Sequence, residues 1–369
     1  MRIGIDARMY LESGIGRYIR NVINKLQELD KENEYFILLR KEDFENIKFN
    51  SNFHKVLADF SWYGITEQIK LPKILNSLKL DLVHFPHFNV PILYKGKFVV
   101  TIHDLIHQHY QMKRATTHGL PTYKIKQLGY RAIFKNAISK SVKILVPSAY
   151  VKELLIDDWK IDIGKIVITP EAVDDTIFSV VNIMKGKDEQ VMKKFNIKSP
   201  YIFYVGNAHP HKNVEGLIKG FIRLRNKYKD LQLVLSGSDH YFWQKIKKEF
   251  HWEGVIYTGF ISDEELVSLY KNAKCFVMPS YEEGFGIPLL EAMACKTPVV
   301  SSMSGSLKEV GGEAAVYFDP HNLEDMIKKI EQVLDNDKLR KDLISKGQKR
   351  VKDFSWEKLA KQTLGVYLK

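Results

Sequence analysis

The stretch Cys275-Phe-Val-Met-Pro-Ser-Tyr-Glu-Glu-Gly-Phe-Gly-Ile-Pro-Leu-Leu-Glu291 reads as a buried strand, a glycine-bearing loop and the start of a helix. Cys275–Met278 is a short continuous apolar run, as expected of a strand covered on both faces. Gly284 and Gly286 let the backbone approach a ligand closely, and Pro288 suits the first turn of a helix. A helix starting there offers unpaired N–H groups to an anion such as a diphosphate. Glu283 lies in the loop and Glu291 one turn into the helix, where both carboxylates can accept hydrogen bonds from hydroxyls. Open α/β sheets bind ligands at the carboxyl ends of their strands, so strand-to-helix loops of this kind are where function is sought.

Outward from this stretch, short apolar runs alternate with helical patterns along the whole chain, which is the signature of βαβ units and parallel sheets. In the first half, strands are expected at Arg2–Asp6, Tyr35–Leu39, Lys55–Ala58, Leu82–Phe85, Phe98–Ile102, Ile144–Pro147 and Ile166–Thr169. Helices fall between them, among them Gly16–Leu29 and Tyr123–Ser139. The stretch Glu171–Pro200 breaks the rhythm and reads as a connection with one lead-in helix. The alternation restarts with strands at Tyr201–Val205, Gln232–Leu235, Val255–Thr258, Cys275–Met278 and Val299–Ser301, and with helices that include Val214–Lys227, Asp263–Lys271 and Leu323–Leu334. The fold class is therefore α/β, with two doubly wound, Rossmann-like domains at 1–173 and 174–354. Residues 355–369 form an amphipathic helix with Trp356, Leu359, Leu364 and Tyr367 on its apolar side.

A chain of 369 residues exceeds one ordinary core, in keeping with two domains. No apolar run approaches the ~20 residues of a membrane-spanning helix. The opening MRIGIDARMY enters a strand pattern directly, so no signal peptide is expected. Cys275 and Cys295 lack metal-like or redox-like spacing, which points to buried thiols in a reducing cytoplasm. The net charge is +12. No acidic residue falls between Leu105 and Lys152, whereas Lys113, Arg114, Lys124, Lys126, Arg131, Lys135, Lys140 and Lys143 all do. A solvated basic face and a patch resting on anionic lipid both account for this. Nucleic acid ranks below them, because no recognition motif accompanies the charge.

Three further strand-end loops carry chemistry. Val205-Gly-Asn-Ala-His-Pro-His-Lys-Asn213 supplies Gly206, His211, Lys212 and Asn213 ahead of a helix, and a cation there can neutralise a diphosphate. Its histidines could suggest a metal, but no carboxylate or cysteine at ligand spacing joins them, so none is expected. Thr101-Ile-His-Asp-Leu-Ile-His107 places His103 and Asp104 where a strand gives way to a loop; His107, His109 and His118 follow, so a generally polar loop is the plainer alternative. Ser13-Gly-Ile-Gly-Arg-Tyr18 contributes Gly14, Gly16 and Arg17. It lacks the third glycine of the dinucleotide fingerprint, which disfavours a nicotinamide dehydrogenase. His84, in His84-Phe-Pro-His-Phe-Asn89, is a candidate for lining an acceptor pocket, and Trp62 and Tyr63 for stacking on a sugar, although aromatics are more often core than ligand platforms. Ser148 reads first as a helix N-cap.

The run EGFGIPLLEAMACKTPVV, with Glu283 and Glu291 separated by seven residues, closely resembles the signature of the retaining glycosyltransferases of family four, which have the GT-B fold. The resemblance extends over nearly the whole chain. It is specific at Gly206–Asn213 and Ser280–Val300 and looser in the first half. It implies two Rossmann-like domains facing across a cleft, with the final helix crossing back onto the first. It implies a nucleoside diphosphate sugar bound by Gly14, Gly16, Gly206, His211, Lys212, Asn213, Glu283, Gly284, Phe285, Gly286 and Glu291. Glu283 would take the transferred sugar, Glu291 the ribose and Lys212 the diphosphate. His103 would touch the donor sugar near its reacting carbon, with Asp104 orienting it. Arg17, Asp104, His84 and Trp62 fall on the acceptor side. His211 stands where the family more often has arginine, and Glu171 where it more often has asparagine.

The implied activity is metal-independent, cofactor-free transfer of a hexose to a glycan or lipid-linked acceptor, with mannose from GDP-mannose as first choice and UDP-sugars close behind. A nucleotide-sugar epimerase of the same fold and an inactive sugar- or nucleotide-binding protein are the alternatives. The expected location is the cytoplasm, with peripheral contact at the inner membrane face.

Overall fold

A computed structural model describes residues 1–12, 14–109, 120–183 and 188–369. Ser13, Lys113, Arg114 and His118, singled out above, lie outside the described residues. The chain divides into two compact units: the first takes the greater part of residues 1–171 together with Trp356–Lys369, and the second takes Ala172–Ser355.

The first unit carries strands β1 (Arg2–Asp6), β2 (Glu34–Leu39), β3 (Phe53–Leu57), β4 (Leu82–Phe85), β5 (Phe98–Thr101), β6 (Lys143–Val146) and β7 (Ile166–Ile168). They form one parallel sheet in the order β3-β2-β1-β4-β5-β6-β7. The second unit carries β8 (Tyr201–Val205), β9 (Gln232–Ser236), β10 (Val255–Gly259), β11 (Cys275–Met278), β12 (Val299–Ser302) and β13 (Ala315–Phe318). Their parallel order is β10-β9-β8-β11-β12-β13. Both sheets are doubly wound. Each reverses its strand order once, between β1 and β4 and between β8 and β11, and such a reversal opens a crevice at the carboxyl ends of the flanking strands.

Central strands are apolar on both faces because helices cover both; Val99, Val100, Phe276 and Val277 are fully buried. Strand β13 escaped the sequence reading. Its run of four residues sits at the sheet edge, paired only with β12, and its middle residues are half-exposed, which dilutes the apolar signal. The connection also differs from expectation. It holds two helices, Asp175–Ile183 and Asp188–Lys194, whose Ile177 and Val191 enter the core of the second unit. Cys275 and Cys295 are free and buried. Among the described residues no helix is long and apolar enough to cross a membrane.

The last helix, Trp356–Tyr367, packs against Ile15–Leu29 in the first unit. Trp356, Leu359 and Tyr367 are buried, with the Trp356 ring 6.1 Å from that of Tyr18, while Leu364 is only partly covered.

His84 belongs to this packing and not to an acceptor surface. It is 0% exposed; its Nδ1 lies 2.6 Å from the Tyr367 hydroxyl and its Nε2 lies 2.8 Å from Thr101 Oγ1. Both ring nitrogens are thus spent on holding the last helix to β4 and β5. Burial, helped by the charge of His103, holds the His84 pKa down to about 3. The unfolded chain binds this proton near pH 6.5, so the stability of the neutral ring is complete above that value and is lost as pH falls toward 3. His84→Gln keeps polar partners without a titrating ring. Its melting temperature should therefore fall less steeply than the wild type's between pH 6.5 and 4, and parallel curves would refute this account.

Candidate functional site

In the second unit the loops following β8 and β11 flank the reversal of strand order. A single 3-10 turn, Pro210–Lys212, presents Lys212. The Lys212 ammonium donates to both oxygens of Glu283 at 2.8 Å, and the Ser280 hydroxyl donates to Glu283 Oε1 at 2.6 Å. Glu283 is buried and Lys212 partly so, which shields the pair from solvent screening. The backbone joins the same two loops, because the Tyr281 N–H donates to the His211 carbonyl at 2.7 Å.

Asn213 completes that join. It adopts φ +53° ahead of the helix Val214–Lys227, and its amide nitrogen donates to the Pro279 and Pro320 carbonyls at 3.1 and 3.3 Å. Its amide hydrogens are therefore engaged by the loops themselves. Gly206 is similarly engaged: its N–H donates to the Ser236 carbonyl and its own carbonyl accepts from Trp243 Nε1. His211 is buried, its ring parallel to that of His209.

The Glu283 loop runs into the helix Ile287–Ala294 through Gly286, at φ +104°, where an added Cβ would sit 2.6 Å from Leu307 Cδ2. Gly284 is buried in the same loop. The Phe285 ring packs edge-on against Phe354 in the core. Glu291 is 3% exposed, and its Oε2 accepts from the Tyr270 hydroxyl at 3.1 Å.

Sequence reasoning missed the brace beneath this loop. Ser306 Oγ lies 3.0 Å from the Glu283 carbonyl and 2.8 Å from that of Phe285, and Ser302 Oγ donates to the Ser280 carbonyl at 2.6 Å. Gly305 has φ +62°, and a Cβ there would come within 2.6 Å of the Glu283 carbonyl oxygen. The signal was the Ser-Gly-Ser at 304–306 after β12, which the rule of searching strand ends would have reached.

In the first unit, His103 Nδ1 lies 2.8 Å from Glu171 Oε1 and its Nε2 3.0 Å from the Pro86 carbonyl. Both partners are acceptors, so the doubly protonated ring satisfies both. Burial opposes that charge, but Glu171 and the carbonyl outweigh it and raise the pKa above its ordinary value. Glu171, not Asp104, orients His103. The Asp104 carboxylate instead accepts from the Ile106 N–H at 3.0 Å.

Gly14, at φ +62°, and Gly16 precede and open the helix Ile15–Leu29. The room that Gly16 leaves is used by its own loop, since a Cβ would lie 2.5 Å from the Tyr10 carbonyl. Arg17 is half-buried on the same helix. Trp62, half-buried beneath the Arg40 guanidinium, lines a cavity of about 470 Å³ together with Arg8, Asp43 and Asp59. Among the described residues no cluster of three or more His, Cys, Asp or Glu is arranged to hold a metal ion.

Two family models match this chain. Residues 13–176 fit Glycosyltransferase Family 4 and residues 187–350 fit Glycosyl transferases group 1. Each half of the chain thus matches a glycosyltransferase model. Among curated proteins it is 36% identical over 186 residues to O-antigen chain mannosyltransferase B of Escherichia coli, covering 48% of each chain. It is 28% identical over 295 residues to O-antigen chain mannosyltransferase RfbU of Salmonella typhimurium, covering 79% of this chain and 76% of that one. The chain spans about half the length, or less, of the first curated relatives it matches. Among solved structures it is similar to sucrose-phosphate synthase from Thermosynechococcus elongatus, with TM-score 0.77 and 19% identity over 100% of this chain and 98% of that one. The shared fold is GT-B.

Gly305→Ala tests the brace. Its strained backbone and the contact with the Glu283 carbonyl should cost about 1–3 kcal/mol, read as a lower urea midpoint, while Ser304→Ala stays within about 0.5 kcal/mol of wild type.

Proposed function

We propose that this family 4 glycosyltransferase moves a hexose, mannose from GDP-mannose, to a hydroxyl of a glycan or lipid-linked acceptor, with retention at the anomeric carbon and without a metal. The observation that carries this reading is the Lys212–Glu283 pair at the reversal of strand order in the second unit. An ammonium has a third N–H beyond the two that engage Glu283, and it suits an oxygen of the leaving diphosphate. The helix N-terminus after Gly286 adds amide dipoles of the right sign. Fixed donors of this kind do the work often given to a divalent cation. Glu283, its carboxylate held by Lys212 and Ser280, accepts from hydroxyls of the transferred sugar, and Glu291 from the ribose.

In this proposal the bond from C1 to the diphosphate oxygen breaks while the acceptor oxygen bonds to C1 on the same face. The acceptor proton passes to a phosphate oxygen of the departing diphosphate. The imidazolium of His103 contributes positive charge, and a contact between it and the donor sugar requires one of its two present hydrogen bonds to give way. The mannosyltransferase names of the similar O-antigen proteins support mannose as the transferred sugar. Exposed Arg131, Lys135 and Lys140 on the helix Leu120–Lys140 support a cytoplasmic enzyme resting on anionic lipid at the inner membrane face.

Turnover of GDP-mannose tests the assignment. Lys212→Ala and Glu283→Ala should each lower the rate roughly 10²–10³-fold with circular dichroism unchanged; a near-normal rate in either removes that residue's role. Activity should persist in EDTA. Loss of activity restored by magnesium would overturn the metal-free mechanism.

A further inference from the structure

The first unit has its own reversal of strand order, and a polar cluster is left unfinished there. Arg8, just beyond β1, is 3% exposed. Its Nε and Nη2 donate to the Asp6 carboxylate at 2.8 and 2.7 Å, and Nη2 also donates to Glu67. Glu67 is wholly buried and accepts from the Tyr63 N–H at 2.9 Å and from Asn89 Nδ2 at 2.8 and 2.7 Å. Glu67 thereby fixes both Arg8 and Asn89. What remains of each is unmet: among the described residues Arg8 Nη1 and Asn89 Oδ1 have no hydrogen-bond partner.

Both side chains line one pocket between the ends of β1 and β4, bounded also by Asp6, Ile19 and Pro86, with a volume of about 10 Å³. That is room for one oxygen-sized group. Buried polar groups in native proteins are nearly always paired, so an unmet donor and an unmet acceptor on two side chains that line one pocket call for a complementary guest. The guest must accept from Arg8 and donate to Asn89, which a hydroxyl does. A phosphate is too large, and its charge would meet the Asp6 and Glu67 carboxylates. Arg8 also lines the cavity of about 470 Å³ that contains Trp62, a size suited to a small ligand.

We propose that Arg8 Nη1 and Asn89 Oδ1 grip one hydroxyl of a neutral glycoside acceptor, with Glu67 as the positioning residue. The assignment rests on the glycosyltransferase reading and adds the acceptor's chemistry to it: an uncharged, hydroxyl-bearing sugar recognised through a single oxygen.

Methyl α-D-mannopyranoside and its monodeoxy analogues are the probes, with binding followed by saturation-transfer NMR without nucleotide. Wild type should bind the parent, and one deoxy analogue should bind roughly tenfold more weakly. Arg8→Lys keeps a cation for Asp6 and Glu67 but removes Nη1. In it the parent should weaken by a similar factor, and that same deoxy analogue should lose nothing further. If Arg8→Lys fails to fold, Asn89→Leu provides the same comparison. Absence of binding to wild type, or equal deoxy penalties in wild type and variant, overturns the proposal and leaves a structural water as the guest. A separate melt with GDP or UDP reads the second unit: no shift in wild type would overturn the donor assignment, while the glycoside comparison still judges Arg8 and Asn89 by itself.

Discussion

A lysine ammonium and a buried carboxylate, 2.8 Å apart and 71 residues apart in sequence, hold together the two loops that flank the reversal of strand order in the second unit. The ion pair would be a poor anchor if its partners were free to move, because ordering two long side chains costs entropy. Here the backbone has already met that cost. Tyr281 and Asn213 tie the loops to each other, Ser306 and Gly305 support the Glu283 backbone from below, and Ser280 fixes one carboxylate oxygen. The charges are set in place before any ligand arrives, which is what electrostatic stabilisation of a developing anion requires.

The sequence was most legible where the physics is local. Strands covered on both faces are short, largely apolar runs, so Arg2–Asp6, Leu82–Phe85, Tyr201–Val205 and Cys275–Met278 were read with their observed bounds. Glycine and proline punctuation placed the Glu283 loop at a strand end for the same reason. The edge strand β13 was hidden because half-exposure weakens its apolar pattern. Hydrogen bonds across sequence distance were also invisible. The imidazole of His103 is oriented by a carboxylate 68 residues away, while the adjacent Asp104 turns its own loop.

Several residues expected at a ligand also serve the scaffold. Asn213 spends its amide on two carbonyls, Phe285 its ring on the core, and Gly16 its missing side chain on its own loop. A residue type that suits a ligand also suits the backbone that must be bent to reach it, and sequence alone does not divide the two uses. His84 is the clearest case, since a histidine near the end of β4 became a buried neutral link to the last helix.

That link bears on how the protein is made. The first unit is discontinuous, with Trp356–Tyr367 emerging from the ribosome only after the whole of the second unit. Both sheets therefore have all their strands before the aromatic side chains that cover Tyr18 and His84 are made. Until synthesis reaches Tyr367, the face of Ile15–Leu29 that the last helix covers stays open.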